Sequence, residues 1–125
     1  MITGTHAIIY AEDADRARAF FRDVLEMPNV DARGGWLIFK LPPAELGIHP
    51  AGGPGDPETA APEGRHELYL MCDDLETTVA ELTAKGIEFT EPIQDQGFGW
   101  LTRLRVPGAG VIGLYQPKHP TAYDL

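Results

Sequence analysis

The apolar positions along this chain change their period in a fixed order, and they do so twice. Residues 3–11 alternate, with His6, Ile8 and Tyr10 on one face and Ala7, Ile9 and Ala11 on the other, which is the two-residue period of a strand. Beyond Asp13, a predicted N-cap, the period lengthens. Ala17, Phe20, Phe21, Val24 and Leu25 recur at three- and four-residue steps, so a helix is predicted over 14–26, stopped by Pro28. A Gly-Gly turn at 34–35 precedes the strand-like WLIFKL at 36–41, and after Pro42 and Pro43 a short strand, ELGIHP, is predicted at 45–50. In the second half HELYLMC at 66–72 is the strand and Asp73 or Asp74 the cap. The helix that follows runs through Leu75, Val79 and Leu82 to Gly86, where a left-handed C-cap suits glycine. Strands are predicted at 87–93, 99–107 and 111–117.

The two halves repeat residues as well as periods. Gly4, His6 and Asp13 return as Gly64, His66 and Asp73; GWL at 35–37 returns at 99–101; LGIH at 46–49 returns as IGLY at 112–115. An ordered series of matches whose offset drifts smoothly is what duplication followed by loop growth produces. The stretch AGGPGDPETAAPEG at 51–64 has no period and reads as a linker. The expected architecture is α+β: two tandem β-α-β-β-β modules in one domain, with module one at 1–50, the linker at 51–64, module two at 65–117 and a tail at 118–125. A half of about 60 residues buries only about 60% of its unfolded surface, so the two should need each other.

Composition narrows the function. Nineteen acidic against ten basic residues give a formal net charge of −9, which disfavours nucleic acid and anionic membranes as partners. Cys72, the single cysteine, has no internal disulfide partner. No apolar run approaches the roughly 20 residues of a membrane span and no signal peptide is evident, so a soluble, cytoplasmic protein is expected.

The strand histidine followed by AEDADRARAFFRDVLEM, together with the closing VPGAGVIGLYQP, resembles the vicinal oxygen chelate superfamily over nearly all of residues 3–117. That superfamily includes glyoxalase I, extradiol dioxygenases, fosfomycin-modifying enzymes and bleomycin-binding resistance proteins. The resemblance implies a cupped, partly closed mixed sheet, paired within one chain or between two, and a homodimer. In metal-dependent members it implies one divalent ion (Fe, Mn, Ni or Zn) held by first-strand histidines and last-strand carboxylates. His6 and His66 match the first-strand positions. The last-strand positions fall on Gly47 and Gly113, which offer no side-chain ligand.

A catalytic divalent site needs at least three protein ligands, so a third must come from a neighbour on the same strand face: Glu45 or His49 beside Gly47, or Tyr115 beside Gly113. The metal candidates are therefore His6, His66, Glu45 and His49. Candidate small-molecule contacts are Tyr10, Trp36, Gly47, Trp100, Gly113 and Tyr115. Parity favours the Trp100-Thr102-Leu104 face of its strand as lining the cup, with Arg103 and Arg105 facing outward. Phe98, on the glycine-rich DQGFG at 95–99, is a lid or a turn, and Cys72 is a buried, inert thiol. Two functions fit: an enzyme (lyase, isomerase or dioxygenase) in which the ion acts as a Lewis acid toward vicinal substrate oxygens, or a metal-free protein that binds a hydrophobic or cationic small molecule, such as an antibiotic.

Overall fold

The computed structural model describes residues 1, 4, 6–48, 65–123 and 125. Asp13 caps the first helix as its side chain dictates, its carboxylate accepting from the Arg16 N–H at 3.1 Å. Helix α1, Ala14–Ala19, then widens into a π-type turn over Phe20–Val24. That turn buries both phenylalanines edge to face, with ring centres 5.1 Å apart. Two short strands follow, β1 (Asn29–Asp31) and β2 (Leu37–Phe39), paired antiparallel.

In the second half β3 (Tyr69–Met71) leads to α2 (Leu75–Ala84), capped by Asp74 and closed at Gly86, whose φ of 87° is a backbone state few other residues adopt. Strands β4 (Gln94–Asp95), β5 (Gly99–Val106) and β6 (Gly110–Pro117) complete a mixed sheet in the order β3-β6-β5-β4. Strand β3 runs parallel to β6, and the other pairs are antiparallel. One face of this sheet, carrying Leu104, Val106, Ile112 and Leu114, packs on Ala17, Phe20 and Phe21 from the first half and on Leu75 and Leu82 of α2. The halves thus share one core. The Asp13 N–H also donates to the Gly108 carbonyl at 3.0 Å, tying the start of α1 to the β5–β6 turn.

Several expectations are corrected. Residues 6–11 and 45–48 carry no assigned strand, although their alternation predicted one, because among the described residues they make no ladder. Alternation creates the capacity for pairing, and the partner is a tertiary matter. Strand β1 was not expected. The predicted strand 87–93 is reduced to a bridge between Phe89 and Leu104, with pairing resuming at β4. The linker 51–64 and His49 lie outside the described residues.

Candidate functional site: the open face of the second sheet

The sheet face away from the helices is built by register. Tyr69 pairs with Gly113, which pairs with Arg103, and Leu101 pairs with Tyr115. With side chains alternating, all five residues share that face. This reverses the expected orientation: the Trp100-Thr102-Leu104 side turns toward the helices, Trp100 packing against the core, and Arg103 lies on the open side. Parity carried over from Trp36 failed because Trp36 itself is 60% exposed, beside α1 with the Arg18 guanidinium 5.0 Å from its ring centre, and orients nothing inward.

The middle of the open face is occupied by tyrosine. A Cβ built on Gly113 would lie 2.9 Å from Tyr69 Cγ and nearer still to Cδ1 and Cε1, so the ring rests on bare glycine backbone. Gly99 does the same for Tyr115, since its Cβ would lie 2.9 Å from Tyr115 Cζ and 2.7 Å from the Gln116 carbonyl. The two rings meet edge on, 6.3 Å apart. Tyr69 donates its hydroxyl hydrogen to Glu67 and accepts from Arg103 Nη2 at 3.1 Å. The Arg103 guanidinium lies 5.6 Å from the Tyr69 ring centre and 3.5 Å from Glu91 Oε1. Burial, then the bond to Glu67, pushes the Tyr69 phenol above its ordinary value; burial, then the Glu45 carboxylate, does so for Tyr115. Both stay neutral donors at physiological pH.

The tail closes one end of this face. The His119 ring stacks on Tyr115, with centres 5.8 Å apart and planes at 29°. Glu45 faces His119 Nε2 at 3.6 Å and accepts the Ala122 N–H at 2.8 Å. The Tyr115 hydroxyl donates to the Phe98 carbonyl at 3.2 Å, and the Phe98 ring lies 5.9 Å from Tyr115.

Of the proposed metal ligands, His49 lies outside the described residues. His6 and His66 are exposed and outside the assigned strands, Glu45 is engaged by the tail, and among the described residues no group of three or more His, Cys, Asp or Glu is placed to hold an ion. The chemistry of the face disagrees with a metal site as well, since Tyr69 fills the space above Gly113 where a ligand would project. Of the predicted contacts, Gly113 and Tyr115 are on this face. Tyr10, 91% exposed, and Gly47, also exposed, are among the unpaired first-half segments. Tyr69, Arg103 and His119 were missed as site residues. Glycines inside alternating strands were the available signal, because such a glycine marks a close approach.

Comparison with known proteins agrees with this architecture. A family model described as Glyoxalase/Bleomycin resistance protein/Dioxygenase superfamily matches residues 5–104. Similar solved structures include a glyoxalase/bleomycin resistance protein/dioxygenase superfamily member from Sphaerobacter thermophilus DSM 20745 (21% identity, 92% of this chain and 98% of that one, TM-score 0.61). An antibiotic binding protein, TnmS3, from Streptomyces sp. CB03234 is 21% identical over 91% of this chain and 100% of its own, with a TM-score of 0.58. A lactoylglutathione lyase from Agrobacterium tumefaciens is 22% identical over 91% and 96%, with a TM-score of 0.57. No curated protein matches the chain. None of the described helices is long and apolar enough to cross a membrane. With the family model spanning most of its length and the mixed sheet in place, the chain belongs to the glyoxalase/bleomycin resistance protein/dioxygenase superfamily.

Proposed function

We propose that this protein binds a small molecule on the Tyr69-Arg103-Tyr115 face and needs no ion to do so. The observation that carries the reading is the Tyr69 ring lying on Gly113 with its hydroxyl held by Arg103 and Glu67. Aromatic rings supply stacking area, and a few fixed polar groups orient the ligand, which is how small-molecule sites combine affinity with selectivity. Calorimetric titration with a panel of aromatic natural-product antibiotics, before and after treatment with a chelator, tests it. Binding should survive the chelator and weaken at least tenfold in Arg103→Ala. Binding that vanishes with the chelator and returns with a divalent ion overturns it.

The second reading is a metal-dependent lyase, isomerase or dioxygenase, favoured by His6 and His66 recurring at matching places in the two halves. Elemental analysis of untagged protein after incubation with Fe²⁺, Mn²⁺, Ni²⁺ or Zn²⁺ separates the two: stoichiometric metal supports the enzyme.

A homodimer is part of the proposal. Ile8, Tyr10, Leu46 and Ile48 are largely exposed on segments without an assigned strand, and a second copy of the chain would cover them. Light scattering should give twice the 13.7 kDa chain mass.

A further inference from the structure

We propose that His119 occupies a ligand position on Tyr115, making the C-terminal tail an internal pseudo-ligand, and that the molecule this place takes is a planar nitrogen heterocycle bearing N–H donors, cationic rather than anionic. The inference rests on the small-molecule reading above and assigns its ligand a chemistry.

Three rings surround Tyr115, and they are not equivalent. Phe98 and Tyr69 approach tilted or edge on, at 55° and 67°, as side chains filling space do. His119 alone among them approaches near parallel, at 29°. That geometry is the one a flat ligand would adopt, and because Tyr115 is buried, such a ligand takes this place only when His119 leaves it.

The polar partner of the slot is equally selective. Glu45 presents one oxygen to His119 Nε2 at 3.6 Å and the other to the Ala122 N–H at 2.8 Å. A carboxylate only accepts, so the Ala122 bond is the one that calls for a donor, while His119, whose Nδ1 lies 2.7 Å from the Pro120 carbonyl, stands beside the other oxygen without a hydrogen bond to it. An N–H-bearing heterocycle can donate to both oxygens, of which the tail's Ala122 N–H satisfies one, and positive charge on it strengthens the pair. An anionic ring would meet Glu45 and a chain of net charge −9.

The tail is also attached in a way that permits release. Lys118 is held three ways: its N–H donates to the Phe98 carbonyl at 2.9 Å, its ammonium bonds Asp95 at 2.8 Å, and that ammonium lies 4.1 Å from the Trp100 ring centre. Beyond Lys118, the tail meets Glu45 and Tyr115 through Ala122 and His119, and Tyr123 lines a cavity with Met71, Cys72, Asp73, Gln116 and Pro117. None of these contacts beyond Lys118 belongs to the β5–β6 ladder, which ends at Pro117, so His119 can be displaced with that ladder intact.

Calorimetry on the full-length chain with 2-aminobenzimidazole, a flat cationic N–H donor, and naphthalene-2-sulfonate, a flat anion, tests the inference. His119→Ala removes the competing ring and should bind 2-aminobenzimidazole at least tenfold tighter than the wild type. Adding Glu45→Gln should cancel that gain, and the sulfonate should bind at least tenfold more weakly than the amine. Amide exchange at Ala122 should accelerate when the wild type is saturated with 2-aminobenzimidazole. Equal binding by wild type and His119→Ala, indifference to Glu45→Gln, or equal affinity for the sulfonate would each overturn it. Ligands that respond to Arg103→Ala but not to His119→Ala would leave the small-molecule face standing and remove this assignment. Ligands that respond to His119→Ala and Glu45→Gln but not to Arg103→Ala would support this assignment against an Arg103-centred site.

Discussion

At the residue scale, the seat of the Tyr69 ring on Gly113 makes a definite energetic claim. Any Cβ at Gly113 must displace the Tyr69 ring, which Glu67 and Arg103 hold by its hydroxyl. Gly113→Ala should therefore cost about 1–3 kcal/mol in urea denaturation, the usual range for overpacking. Tyr69→Ala combined with Gly113→Ala should cost less than the sum of the two, since Tyr69→Ala removes the ring that the new Cβ collides with. Gly113→Glu alone should gain no Zn²⁺ affinity by calorimetry. Cys72 supplies another prediction: burial, its leading influence, pushes its thiol up, so alkylation by iodoacetamide at pH 8 should be slower than that of a free cysteine. At this scale the sequence exposed a glycine inside an alternating strand. It concealed which ring fills the gap, because Tyr69 lies 44 positions away, and only the parallel register of β3 on β6 brings it there.

At the scale of elements, helices were legible and strands only in part. Helix α2 is encoded locally: Asp74 accepts from the Thr77 N–H at 3.1 Å, Leu75 and Leu82 face the core, and Gly86 ends it. Asp74→Ala should lower stability by about 1 kcal/mol, read as a shift of the denaturation midpoint with unchanged slope. Strands β5 and β6 were also anticipated nearly to the residue, since their apolar positions alternate against an obvious hairpin turn. Their facing was misjudged, because period two defines two faces without saying which one meets the helices. Leu104, fully buried where β5 meets that core, tests the corrected facing: Leu104→Ala should cost about 2–5 kcal/mol, far more than Arg103→Ala on the other side.

At the scale of the molecule, the tail and its anchor set a pH dependence. The Lys118 ammonium, then the Gly97 N–H, hold the Asp95 carboxyl below its ordinary range. A depressed carboxyl contributes stability above its unfolded value of about 3.9 and loses it as pH falls through the folded value. The stability gap between wild type and Lys118→Ala should accordingly be steady near pH 6 and shrink on acidification toward pH 3, measured by thermal melts. Salt should narrow it too, the pair being exposed. What the sequence determined by itself is the helices with their caps, the two long strands and the acidic character, because each is written in neighbouring residues or in sums over the chain. What only the tertiary structure decided is which sheet face is open, that Tyr69 lies on Gly113, and that Glu45 grips the tail 77 positions away. Those depend on register and on contacts between distant segments, and neither is a property of any short stretch of chain.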